Sequence, residues 1–218
     1  MTASARELLE SAREELAAGE HENRLIPLIG RGAASRDVLA ALAAEQHRII
    51  ASDWRSFLLL ASRSGDPKAG GFFLDLARGE VLALEKVAQF AAACGLGEQD
   101  LRDYKPRAGC QAYPSYLAWL ALNGEPSDVV LAVVANFSAW GSYCKTVAQA
   151  LRVHYGFDDA GCAFFDFFAA PAPGGDEPAL VVVQAGLDAG RGTDKPLEYG
   201  RLLQSYELMF WNTLAELA

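Results

Sequence analysis

Residues 127–155 read SDVVLAVVANFSAWGSYCKTVAQALRVHY, nearly thirty residues of unbroken helical pattern. Val129, Val133, Asn136, Trp140, Cys144, Val147 and Leu151 recur at steps of three and four, so they share one helix face and form its expected buried stripe. One member of that stripe is polar. An amide buried without partners costs roughly 1–3 kcal/mol, so Asn136 should be tied to other side chains or face a wet cavity. Two readings stay open: a core asparagine locked in a helix-to-helix hydrogen bond, and the wall of a ligand pocket.

The same periodicity extends outward in both directions. MTASARELLESAREEL at the amino terminus is an acidic amphipathic helix pattern and not a cationic region followed by an apolar core, so no signal peptide is expected and the protein is placed in the cytoplasm. Residues 21–32 (HENRLIPLIGRG) read as a break. Ser35 is an N-cap with Asp37 in the first turn of a helix running to about Arg63, with an inner stripe of Leu39, Leu42, Gln46 or His47, Ile50, Trp54, Phe57 and Ala61. Asp66-Pro67 opens the next helix, which stops at Gly95. Residues 97–108 read as an irregular connection. Further helices are expected from Gln111 to the Asn123-Gly124 turn, over 158–170 and over 178–189, where Val181 to Val183 also fits a strand, and from about Lys195 to Leu217. Long helices, short turns and no alternating strand pattern predict an all-α, single-domain helical bundle over residues 1–218. Ligand sites in such bundles lie between facing helices, and the interrupted stripes around His47, Asn136 and Glu207 are the natural lining.

Composition narrows the function. The formal net charge of −9 opposes sequence-independent nucleic-acid binding, which needs clustered Lys and Arg, and it disfavours anionic membranes. No apolar run reaches spanning length. The four cysteines (Cys94, Cys110, Cys144, Cys162) are far apart with no CxxC pair, so free thiols are expected. A dinuclear carboxylate-histidine centre needs paired Glu-x-x-His segments, and none is present among the three histidines His21, His47 and His154. Glu45 and His47 point about 200° apart on a helix. Neither a metal nor a cofactor is expected; the partner is a small-molecule ligand. Glu207, flanked by Leu203, Phe210 and Trp211, either points outward or sits against aromatic side chains, where its pKa would rise as a general acid or base requires. Cys144, about two turns beyond Asn136 on the same face, reads as a small core residue or as a nucleophile.

Three segments carry a family resemblance. YELMFWNTL (206–214) resembles the YExxFW segment of the TenA/thiaminase II group, AYPSYLAWLA (112–121) resembles its AYxxYL helix, and CGLGEQDLRDYKP (94–106) resembles its loop between two long helices. The resemblance implies a haem-oxygenase-like bundle, related to the PqqC-type proteins, that hydrolyses aminopyrimidine compounds related to thiamin. It matches Glu207 to the family's proton-shuttling glutamate and Tyr113 to one of its tyrosines. Asn136 falls where the family's cysteine nucleophile is expected and Trp140 where a tyrosine is, while His47, or Gln46 in a register one residue away, falls where an aspartate is expected. On this reading Glu207 is the acid or base, Tyr113, Asn136 and His47 orient a planar heterocycle, and Trp54, Phe137 or Trp140 stack on it. The segment after LRVHYG lacks the histidines of the iron-dependent relatives. A non-catalytic ligand-binding or regulatory protein is the alternative, Cys144 as a substitute nucleophile stays open, and a homo-oligomer is implied.

Overall fold

The computed structural model describes residues 4–17, 23–171 and 174–218; His21, at the start of the expected break, and Ala172 and Pro173 of the 171–178 loop lie outside them. The described residues form ten helices: α1 (Ala5–Ala17), α2 (Leu25–Gly30), α3 (Arg36–Arg63), α4 (Pro67–Ala93), α5 (Glu98–Asp103), α6 (Ala108–Asn123), α7 (Pro126–Tyr155), α8 (Asp159–Ala169), α9 (Glu177–Asp188) and α10 (Asp194–Ala215). No strand occurs among the described residues, so Val181 to Val183 belong to α9.

Local chemistry sets the long helices. Ser35 accepts the Val38 N–H at the start of α3 and Asp66 accepts the Lys68 N–H ahead of Pro67 in α4, each side chain satisfying one of the orphan donors of a first turn. Gly156 ends α7 with φ 72°, a left-handed conformation that glycine adopts without steric cost. Two short helices fall where loops were expected. Residues 25–30 (LIPLIG) bury Leu25, Ile26 and Ile29 as α2, and Asp100 takes the Gly97 N–H at 2.8 Å to start α5 inside the expected irregular connection.

α7 runs through the middle, touching α1, α2, α8, α9 and α10, while α3 packs along α4 and α6 along α10. The apolar interior falls into two clusters. One gathers the amino-terminal part of α3, the carboxy-terminal halves of α4 and α7, and α8; the other gathers α1, the distal part of α3, the start of α4, α6, the first half of α7 and α9. Each long helix crosses from one cluster to the other, and at the crossing it carries a buried polar residue: Asp53 between Ile50 and Phe57, Glu80 between Ala77 and Ala83, Asn136 between Ala135 and Ala139, Glu207 between Leu203 and Phe210. The bundle therefore has a polar layer across its waist.

A further buried carboxylate pins the frame of this layer. Glu45 of α3 is fully buried and accepts hydrogen bonds from Tyr104 Oη at 2.9 Å, the Arg107 N–H at 2.8 Å and Gln111 Nε2 at 2.9 Å, with the Arg107 guanidinium 3.8 Å away and also bonded to Tyr104 Oη. It ties α3 to the α5–α6 connection. Removing one side of such a network strands its buried donors at a cost of about 3–5 kcal/mol. Glu45→Ala is accordingly expected to lower the unfolding free energy by that amount, read as a lower denaturant midpoint at unchanged m; a loss below about 1 kcal/mol would show that the pin is dispensable.

Candidate functional site

A cavity opens at the polar layer, with about 510 Å³ of empty space that includes the open solvent at its mouth. Its polar wall is Gln46, Asp53, Glu80, Tyr113, Asn136 and Glu207, and its aromatic wall is Phe137, Trp140, Phe168 and Phe210. No Lys, Arg or His lines it.

Glu207 is the most firmly positioned of these groups. Asn136 Nδ2 donates to its Oε2 at 2.7 Å, and Trp211 Nε1 donates to its Oε1 at 3.1 Å. Trp211 lies one turn along α10, so the pair is a neighbouring i, i+4 contact on one face. The indole is in turn wedged among Trp140, Tyr143 and Phe210, with ring centroids at 5.4, 5.7 and 5.1 Å. Asn136 Nδ2 spends its other hydrogen on Gln204 Oε1 at 3.0 Å, so the amide bridges two α10 side chains and cannot rotate without losing one of them. Asn136 is locked between helices and also faces the cavity. Burial pushes the Glu207 carboxyl up to about 7, against the pull of the Trp211 and Asn136 hydrogen bonds, which favour the ionised form.

Asp53 and Glu80 are also buried, on α3 and α4. Burial raises both well above ordinary carboxylates, and the Asp53 charge raises Glu80 further. Asp53 Oδ1 is buried without a hydrogen-bond partner. Tyr113 of α6 feels the charges of Asp53, Glu207 and Glu80, and burial above all keeps its phenol protonated.

Of the expected site residues, the cavity brings together Glu207, Asn136, Tyr113, Phe137 and Trp140. It leaves out His47 and Trp54. His47 is half-buried off the lining, with its pKa lowered by burial and then by Arg48, and Trp54 is 39% exposed. Of the two registers open on α3, the one through Gln46 lines the cavity; Ile50 and Phe57 are buried as expected, while Asp53 and not Trp54 takes the buried position between them. Asp53, Glu80, Gln204 and Trp211 were not expected at the site. Their signal was the one that marked Asn136: Asp53 continues the 46–50–57–60 spacing of α3, and Glu80 the 73–77–87 spacing of α4.

Cys144 is fully buried and outside the lining. Burial, then the Glu207 charge, raises its thiol far above the ordinary range, opposite to the shift of a reactive cysteine. Among the described residues no three His, Cys, Asp or Glu side chains are grouped to hold a metal ion, and no helix is long and apolar enough to cross a membrane.

The TENA/THI-4/PQQC family profile matches residues 14–169 of the chain. No curated protein matches it. Among solved structures, a domain of unknown function with a haem-oxygenase-like fold from Shewanella denitrificans OS217 superposes with a TM-score of 0.77 at 15% identity, covering 99% of this chain and 94% of that one. A TenA homologue from P. horikoshii OT3 gives 0.73 at 15% identity over 98% and 99%, and a TenA family transcription regulator from Silicibacter sp. TM1040 gives 0.75 at 15% over 98% and 97%. At such identities the likeness shows the fold: an all-α bundle of the haem-oxygenase-like type.

Proposed function

Because the chain belongs to the TENA/THI-4/PQQC family, we propose that its cavity takes a planar, amino-bearing heterocycle of the thiamin-related aminopyrimidine class and hydrolyses a C–N bond by acid–base catalysis at Glu207. The observation that carries this reading is a buried carboxylate aimed into an aromatic-walled cavity, fixed by two donors and brought to about 7, where a group both takes and returns a proton at neutral pH. In the reaction, Glu207 accepts a proton from water as the water oxygen bonds to carbon; the C–N bond breaks and the nitrogen leaves with that proton. No cysteine is required. Asn136 stands where the family resemblance leads one to expect the thiol, and an amide with both N–H groups engaged holds Glu207 and attacks nothing. The lack of basic residues on the lining argues for an unphosphorylated ligand, since a phosphate would find three carboxyls and no cation.

A second reading, a non-catalytic binding or regulatory protein, is favoured by one feature: no thiol, hydroxyl or imidazole nucleophile faces the cavity beyond the Tyr113 phenol. A thermal-shift screen against thiamin, its aminopyrimidine fragments and their phosphate esters, followed by mass spectrometry, separates the two. Ligand at a hundred times its Kd stabilises by about 2.7 kcal/mol. A shift with a changed mass supports hydrolysis, a shift with unchanged mass supports binding alone, and a response confined to the phosphate esters sinks both. Cys144→Ala should leave turnover within about twofold, because a buried neutral thiol contributes no nucleophile; loss of activity in a folded variant would make Cys144 the missing nucleophile.

A further inference from the structure

The chain shows what it does with a buried carboxylate needed for structure. Glu45 is saturated with three donors and an arginine, and the half-buried Asp176 is gripped by Arg13 at 2.6 and 2.7 Å. Asp53 and Glu80 are treated differently. They are 6% and 8% exposed, accept no hydrogen bond from any described residue, and lie near enough for the charge of one to act on the other. Two like charges so buried cannot both be carried without compensation. No described residue on the lining compensates them: α3 and α4 offer no charge but the pair itself, α6 the neutral Tyr113, α7 the amide Asn136, α8 Phe168 and α10 a third carboxyl, Glu207. His47, the nearest imidazole along α3, stays off the lining. The compensation is then either a proton held by the pair or a positive charge brought by the ligand.

We propose that Asp53 and Glu80 form a clamp for a planar nitrogen cation presenting two N–H donors on one edge, an amidinium or a protonated aminopyrimidine, so that the opposite edge of the ring is presented to Glu207. The proposal rests on the reading of this cavity as the ligand site and adds to it the charge and orientation of what enters. Asp53 Oδ1, buried and unpartnered, is one acceptor the ligand would satisfy; the Glu80 carboxyl is the other. Phe137 and Trp140 supply apolar surface for the ring. Because cation and proton compete for the pair, binding releases up to one proton and affinity rises with pH until the pair holds the charge the cation needs.

The test compares benzamidine with its neutral isostere benzamide by titration calorimetry between pH 6 and 8.5, in buffers of different ionisation heat. In the unmodified protein, benzamidine should bind at least tenfold more tightly than benzamide, with proton release and affinity growing with pH. Asp53→Asn and Glu80→Gln should each bring benzamidine to the affinity of benzamide and abolish the proton release. Both substitutions remove buried charge, so the variants are expected to stay folded, which their melting temperatures check. Glu207→Gln should keep the preference for benzamidine. Equal binding of the two probes, or a preference that survives both Asp53→Asn and Glu80→Gln, overturns the clamp. If neutral heterocycles bind in the cavity but benzamidine does not, the clamp falls and the cavity reading stands; if neither probe nor any heterocycle binds, both fall together.

Discussion

Exchanging Glu207 for glutamine is expected to reduce turnover of an aminopyrimidine by about 10²–10⁴-fold, the usual contribution of a positioned acid–base group. The two side chains have nearly the same shape, so the loss isolates the proton. A carboxylate accepts from both Asn136 Nδ2 and Trp211 Nε1, whereas a glutamine has one acceptor oxygen and one NH₂ group. One of those donors must then face another donor, and the side chain can no longer take a proton near neutrality. The pH profile is the more specific readout. With Glu207 acting first as base, kcat should rise as pH passes through about 7, and that limb should disappear in Glu207→Gln. Asn136→Ala removes a donor that favours the ionised form, so the limb should move to higher pH with catalysis retained. If turnover in Glu207→Gln stays within threefold, or the limb stays at about 7 in Asn136→Ala, Glu207 is not the acid–base group.

Much of this layer was readable from spacing, and the unread part has a physical cause. Asn136 and Glu207 stood out because each breaks a stripe that is apolar above and below it. On α3 the apolar Trp54 beside Asp53 hides the break, and on α4 Val81 stands beside Glu80 in the same way. A reading that maximises hydrophobicity on the inner face rotates the helix by one position to bury the tryptophan and the valine. The folded chain does the opposite: Trp54 is 39% and Val81 48% exposed while both acids are buried. Local consistency fails in this way where a chain carries function, because a site residue occupies a core position at some cost to stability. The long helices were legible from their caps and from Gly156. α2 and α5 were not, since six residues are too few to show a 3.6-residue period.

Melting temperature is expected to rise as pH falls from 8 towards 5, the reverse of a fold held by paired carboxylates. Asp53, Glu80 and Glu207 all titrate higher in the folded chain than in the unfolded one. Between the unfolded values near 4 and the folded ones, the native state therefore holds protons that the unfolded state has lost, and stability declines as pH climbs through that window. Below the window the native layer is neutral and costs nothing extra. For Glu207, moved to about 7, the full penalty above neutrality is on the order of 3 kcal/mol; at about 2–4 °C per kcal/mol for a chain of this length, it should appear as several degrees. His47, whose pKa is lowered by burial and then by Arg48, pulls the other way inside this window, because the unfolded imidazole takes a proton that the native one resists; Asp176, which Arg13 holds below the usual carboxylate range, acts only at lower pH. A negative chain also loses self-repulsion on acidification, so the wild-type trend alone does not identify its source. The double variant Asp53→Asn/Glu80→Gln does: it removes two of the groups that titrate higher in the folded chain, so it should raise the melting temperature at pH 8 and flatten the slope. A slope unchanged in the double variant would place the pH dependence elsewhere on the surface. A melting temperature that falls at pH 8 would mean that Asp53 and Glu80 hold the bundle together. The expected outcome is instead a native state that gives up stability at neutral pH to keep three carboxyls in one buried layer, and regains it when a cation enters or a proton returns.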